Sequence, residues 1–437
     1  MWRPITLIYM ANIAHIQGRQ IYDSRGNPTV EVDVFLDDDS MGRVAVPSGA
    51  STGSQEAYEL RDNEKAFQGK GVQKAVRNVN TKIKDALVGT DAANQKKVDR
   101  VMIELDNTRS KKRIGANAIL GVSLATAKAE AASQGKFFFE YVQGFSENDI
   151  PYSLPMPMCN LINGGKHAIG STDIQEFMVV PVGARSMSEA LQMVAEIFQI
   201  LKDILKSKGY KTTVGDEGGF APRVKKGNKE ALELLSKAAE RAGYDVGADV
   251  AFAIDVAANE MHSDGRYTLK SENKQFDAQG MIDYYTSLTK EFPLISIEDG
   301  LFEQDLRGWV NLTEALGESV QIVGDDFLVT NIDLLDKAIK LGAGNTILIK
   351  PNQIGTLSET IEAVELAQQS DWNTIVSHRS GETEDTTIAH LAVGLSSGQI
   401  KTGSMSRGER TAKYNELLRI EELFGEENVF ATWKIDD

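Results

Sequence analysis

Six short apolar segments in the second half of the chain each run out onto charged residues. VAFAID closes on Asp255, LISIED on Glu298, QIVGDD on Asp325, TILIK on Lys350, TIVSHRS on His378 and Arg379, and GQIK on Lys401. Successive ends are 43, 27, 25, 28 and 23 residues apart. The last four steps suit a strand, a loop, a helix of about 12 residues and a return loop, which is the repeat of a βα unit. The longer first step leaves room for an inserted segment. Charged groups at the carboxyl ends of successive parallel strands are how a TIM-type barrel builds its active site, so the six ends are expected to converge on one mouth. Any one strand ends in a polar residue simply on reaching solvent. Three carboxylate ends followed by three cationic ones are not produced that way.

Asp255, Glu298 and Asp325 fall on successive strands, so their carboxylates are expected to meet. Three hard oxygen ligands without cysteine suit Mg²⁺ or Mn²⁺ better than zinc, and magnesium is the natural reading. The competing arrangement pairs each carboxylate with a lysine and leaves the mouth neutral. Across from them are expected Lys350, Arg379 and Lys401. Arginine offers a planar fork for phosphate or carboxylate, and a lysine crowded by cations can lose its proton and act as a base. Taken singly, each cation reads equally as a surface ion pair worth at most about 1 kcal/mol. Together the groups describe proton removal next to a carboxylate, whose dianionic product needs divalent cations. Elimination of hydroxide would further need an acid opposite the base. VGDEGGFAP offers Glu217, in a Gly-containing turn where the backbone can fold closely over a ligand, although DEGG also makes a solvated turn.

Ahead of the barrel pattern the rhythm differs. Over 29–36, Val30, Val32 and Val34 alternate with Glu31 and Asp33, the period of a half-buried strand, and a return strand through Val44 and Val46 follows a turn at 37–40. Helical patterns start at Lys74 (KAVRNVNTKIKDALVG) and Ala116 (ANAILGVSLATAKAEAAS), giving an α+β unit that ends in the polar stretch 143–151. A further helix is expected from Ser186, with Ser186 and Glu189 at capping-box spacing. At 437 residues two domains are expected. A net charge of −16 argues against nucleic-acid or anionic-membrane partners. The lone Cys159 has no internal disulfide partner and reads as a small buried hydrophobe. No apolar run approaches a membrane span, and the opening MWRPITLIYM is not read as a signal peptide.

Nine segments then carry a resemblance: SGAST (48–52), INGGKHA (162–168), IQEFM (174–178), VGDEGGFAP (214–222), SIEDG (296–300), GDD (324–326), LIKPNQIGT (348–356), SHRSGETED (377–385) and IKTGSMSR (400–407). With them the chain resembles the enolase family from near His15 essentially to its C terminus. Enolase-superfamily sites are a known case of a Lys or His base working with one or two Mg²⁺ ions. The resemblance implies an α/β fold: an N-terminal extension (1–14), an α+β capping domain (15–147) and an enolase-type β/α barrel with irregular first strands (148–437). It implies Mg²⁺-dependent, reversible dehydration of 2-phosphoglycerate to phosphoenolpyruvate, in glycolysis and gluconeogenesis. Lys350 would take the C2 proton and Glu217 would assist hydroxide departure. Asp255, Glu298 and Asp325 would hold the tighter of two Mg²⁺ ions. Asp325 is preferred to Asp326 because it lies 25 residues before Lys350, as in the family. Ser51 would help hold the second ion, bound with substrate, when its loop closes. Arg379 and Ser380 would contact phosphate and Lys401 the carboxylate, while His167, Gln175, Glu176 and His378 line the pocket. His15, His262 and His390 lie outside these motifs and are expected to be ordinary residues. A homodimer or assembly of dimers in the cytoplasm is implied. The alternatives are another superfamily dehydratase or racemase, and a catalytically silent binding protein on the same fold.

Overall fold

The computed structural model describes residues 11–50, 53–146, 148, 150–425 and 429–433, so Ser51 lies outside the described residues. The chain begins with an antiparallel meander of β1 (Ile13–Tyr22), β2 (Pro28–Leu36) and β3 (Met41–Ala45), in that spatial order. β1 was not anticipated, because IAHIQGRQIY lacks a clean apolar alternation. On β2, Val30, Val32 and Val34 are fully buried against the helix Ala116–Ser133, which spans the residues its pattern predicts. β3 lies on that same helix. A Cβ at Gly42 would sit 2.1 Å from the carbonyl oxygen of Ala125, so only glycine permits the approach. The helix from Gln73 is interrupted by a π turn, Val79–Ile83, which brings Asn80 onto the Gly18 backbone through bonds of 2.7 and 2.9 Å.

Asp33 departs from the expected solvent face. Its carboxylate is buried and accepts from Arg19 at 2.5 Å and Arg43 at 2.6 Å. Burial alone would raise its pKa, but the two guanidinium groups outweigh that and hold the carboxyl at about 2. Its pairing therefore stabilises the fold fully above the unfolded carboxylate value of about 3.9 and is lost as pH falls toward 2. Asp33→Asn is expected to lower stability at neutral pH by about 1 to 2 kcal/mol. Denaturant melts of the two proteins should converge in strong acid, and a gap independent of pH would contradict this account.

The second unit is a closed barrel. It starts with β4 (Met156–Asn163), β5 (Glu176–Val180) and β6 (Ala251–Asp255), and β5 pairs antiparallel with both neighbours. Residues 164–175 hold only a short 3-10 turn, Gly165–His167. Without a crossover helix the chain can only return antiparallel. The helices Met187–Ser207 and Asn228–Ala242 separate β5 from β6. Ser186 caps the first of them as expected, accepting from the Glu189 N–H, although the Glu189 carboxylate reaches back to Arg185 N rather than to Ser186. After β6, a small sheet of β7 (His262–Ser263), β8 (Arg266–Leu269) and β9 (Lys274–Phe276) fills the 43-residue step. Then β10 (Leu294–Glu298), β11 (Gln321–Gly324), β12 (Thr346–Ile349), β13 (Asn373–Ser377) and β14 (Gly398–Lys401) alternate with helices. The closed order is β10-β11-β12-β13-β14-β4-β5-β6.

Below the mouth the barrel is filled by Met156, Met158, Met178, Val180, Ala253, Val323, Leu348 and Ile375, with Phe430 and Trp433 packed beneath them. The inserted charges therefore have only one end of the barrel to occupy. The capping unit is tied across that end by polar links: Asp99 accepts from Ser358 N at 3.0 Å, Lys111 pairs with Glu359 at 2.9 Å, and Lys128 pairs with Asp385 at 3.2 Å. Cys159 is buried, with its thiol 3.2 Å from the Tyr414 hydroxyl. Among the described residues, no helix is long and apolar enough to cross a membrane.

Candidate active site

The strand ends meet as the spacing predicts. One polar pocket is lined by His167, Gln175, Glu176, Glu217, Asp255, Asp325, Lys350, Ser377, His378, Arg379, Ser380 and Lys401. Glu298 is not part of this lining and is reached through Lys401, which donates to it. The parallel register explains the convergence: Asp255 lies level with Glu298 across β6 and β10, and Ser377 with Lys401 across β13 and β14.

Carboxylates and lysines interleave more closely than expected. Lys401, only 2% exposed, donates to Asp255 at 3.0 Å and to Glu298 at 2.8 and 2.9 Å, with Glu176 at 3.3 Å. Lys350 bonds Asp325. Each of the three strand-end carboxylates thus touches a lysine, but Asp255, Glu298 and Glu176 share the single Lys401 ammonium rather than each having its own. Among the described residues, the carboxylates whose oxygens lie within 4.8 Å of Asp325 as one group are Asp299 and Asp326, not Asp255 and Glu298.

Charge balance shows what this centre accommodates. Burial opposes the charge on Lys401, but Asp255, Glu176 and Glu298 overcome it and hold the ammonium well above the ordinary lysine range. Burial and neighbouring carboxylates push Glu298 and Asp299 well up, and Asp326 up to about 7. In the geometry, three carboxylates, Asp255, Glu298 and Glu176, share the one Lys401 ammonium. Glu176 Oε2 and Gln175 Oε1 are buried with no hydrogen-bond partner among the described residues. Hard, crowded oxygen donors of this kind fit a small divalent cation.

On the other flank, Glu217 accepts from Asn160 Nδ2 at 3.0 Å and lies 3.5 Å from both His167 Nδ1 and His378 Nε2. Burial resists its ionisation, but His167 and the cations Arg410 and Lys401 are among the groups that hold its carboxyl well below the usual range. Glu176 is driven the opposite way, by burial and by Glu217 itself. The turn around Glu217 differs from expectation in what its glycines approach. Gly218, at φ +88°, would press a Cβ to 2.4 Å from the Ser406 carbonyl oxygen, and one at Gly219 would meet Asn160 O at 3.0 Å. These glycines pack the turn onto the barrel.

Arg379 faces Glu56, with Nη1 at 3.1 Å and Nη2 at 3.2 Å from its carboxylate, and donates to Asn352 Oδ1 at 2.8 Å. Ser380 lies beside it in the pocket wall. Residues not anticipated from the sequence include Glu56, Asn160, Gln353, which donates to Asp325 at 2.8 Å, and Arg410. Arg410 was detectable in principle. It shares the helix Gly408–Phe424 with buried Tyr414, Leu417 and Ile420, at a spacing where an apolar residue belongs.

Fold and site define a capped β/α barrel with one antiparallel strand and a buried carboxylate–ammonium centre at its strand ends, a scaffold for acid–base chemistry. Residues 13–142 match the family model described as "Enolase, N-terminal domain", and residues 151–436 match "Enolase, C-terminal TIM barrel domain". The chain belongs to the enolase family. Its function is accordingly that of the enolase superfamily, with acidic clusters suited to metal.

Proposed function

We propose that the chain catalyses the Mg²⁺-dependent, reversible dehydration of 2-phosphoglycerate to phosphoenolpyruvate. The observation that carries this reading is one pocket holding a lysine, Lys350, on β12's end and a carboxylate, Glu217, beside β4, with Arg379, Ser380 and Lys401 between them. A base and an acid on separate flanks suit an elimination, and the intervening cations suit a substrate bearing both phosphate and carboxylate.

Lys350 takes the C2 proton. Burial and Arg379 press it toward the neutral form such a base needs, while Asp325 holds it protonated and prevails, above the ordinary lysine range. Asp255, Glu298 and Asp325 would hold one Mg²⁺ and Ser51 would help hold a second, which would supply charge against the developing dianion, at about 4 kcal/mol per unit-charge pair 4 Å apart and roughly double for a divalent ion. Arg379 and Ser380 hold the phosphate. Lys401 anchors the carboxylate. Glu217 needs a proton to assist hydroxide departure, and Glu176, whose carboxyl burial and Glu217 push well above the usual range, has an oxygen within 4.8 Å of it.

Purified protein is expected to convert 2-phosphoglycerate with the absorbance rise of an enol product, and to leave phosphate-free sugar acids untouched. Turnover of a sugar acid alone would favour another superfamily dehydratase or racemase, and no turnover of either a silent binding role. Removal of divalent ions by a chelator should stop turnover and added Mg²⁺ restore it. Full speed in the chelator would overturn the proposal.

A further inference from the structure

Arg410 is completely buried, and although its Nε lies 3.5 Å from a Glu409 carboxylate oxygen, among the described residues it makes no carboxylate hydrogen bond. Its Nη1 donates to the Arg379 carbonyl at 2.7 Å and lies 2.6 Å from His378 Nδ1, while Nη2 donates to the carbonyls of Ser380 at 2.7 Å and Asp216 at 3.0 Å. Glycine at 403 makes the room, since a Cβ there would lie 2.8 Å from Arg410 Cδ. A guanidinium has only N–H donors and does not lose its proton in proteins. A nitrogen 2.6 Å from it must therefore be an acceptor, and in His378 that nitrogen is Nδ1.

We infer that Arg410 is a positioning residue that fixes His378 as the neutral tautomer with its one ring proton on Nε2, the nitrogen on the side of Glu217. The catalytic consequence rests on Glu217 as the acid of the proposed dehydration; the tautomer does not. His378 Nε2 is 3.5 Å from Glu217 Oε1 and has no hydrogen-bond partner among the described residues, so on that side the ring offers the carboxylate a proton instead of a lone pair. The imidazole cannot serve as a base through either nitrogen, because one is engaged by a cation and the other already carries hydrogen. Glu217, Arg410, Lys401 and Lys350 are the charged groups around the ring, and burial with the three cations disfavours the imidazolium. The same guanidinium holds the backbone on both sides: Asp216 precedes Glu217, and residues 379 and 380 are the proposed phosphate contacts. One side chain thus sets the acid turn and the anion loop in register.

The test uses the full chain with ¹⁵N-labelled histidine, and His378→Gln to assign the signal. Long-range ¹H–¹⁵N correlations should show a neutral Nε2–H imidazole that does not titrate over about pH 6 to 9, where an ordinary histidine changes charge near 6.5. An Nδ1–H tautomer, or an ordinary titration, overturns the inference. Arg410→Met is expected to lower 2-phosphoglycerate turnover about 100-fold while C2 hydrogen exchange falls less than about 10-fold, since acid–base contributions are of that order. Arg410→Lys, which keeps one donor for Nδ1, should recover part of the loss. Equal losses of turnover and exchange would also overturn it. Absence of 2-phosphoglycerate turnover in the parent protein would refute the proposed reaction and leave the tautomer measurement standing, so the two failures are separable.

Discussion

Lys350→Ala, folded and supplied with Mg²⁺, is expected to lose both 2-phosphoglycerate turnover and exchange of the C2 hydrogen with solvent, each by about 10³-fold or more. Glu217→Gln is expected to lose turnover to a similar degree while keeping exchange within about 10-fold of the parent. The separation follows from position. Lys350 ends β12, bonded to Asp325 among the carboxylates, whereas Glu217 is held by Asn160 on β4, with His167 and His378 beside it. Proton removal needs only the first group and departure of hydroxide needs the second as well. Solvent tritium or deuterium exchange, measured beside product formation on the same preparations, checks both. Loss of exchange in Glu217→Gln to the same extent as turnover would sink the division of roles.

Lys401→Met should produce the largest loss of stability of any single change in the site. Its ammonium is buried between Asp255, Glu298 and Glu176, and methionine of similar length leaves those carboxylates facing one another. Removing one partner of a buried ion pair costs about 3 to 5 kcal/mol. The sign with pH is defined. Glu176 and Glu298 already have raised folded values, so their charged forms penalise the fold above the unfolded carboxylate value of about 4.3. The deficit of the variant should therefore be greatest at neutral and alkaline pH and shrink as pH falls toward 4. Mg²⁺ should restore part of it, because a divalent ion supplies the missing positive charge. Thermal melts with chelator and with Mg²⁺ at several pH values check this, and a variant as stable as its parent in chelator at pH 8 would contradict the charge balance described.

Much of the barrel was legible because a parallel strand buried on both faces shows as a bare apolar run, and its far end as the first charge after it. Asp255, Lys350 and Lys401 stood out for that reason. The strand around Val30, Val32 and Val34 was clear from its alternation, and the helix Ala116–Ser133 from a long run of good helix formers, since it is buried almost all round and not on one face. β1 and the antiparallel β4–β5 pair were not. β1 has a broken alternation, and strand direction is set by what links two strands rather than by their residues. Asp33 was misplaced because alternation counts faces and does not see an arginine arriving from a neighbouring strand. Glu56 and Arg410 were missed for a similar reason: each acts on a residue more than 30 positions away, to which no local period connects it.

Residue order alone determined that charges would collect at one end of a barrel, which chemical types they would be, and the family to which they point. Those are consequences of short-range periodicity and of motif spelling. Tertiary structure alone decided which cation sits on which carboxylate, which glycines are required by touching backbone, and which histidine nitrogen must accept. Hydrogen bonding and Coulomb attraction inside a protein depend on separations of a few ångströms and on exclusion of water. Neither exists until the chain has closed.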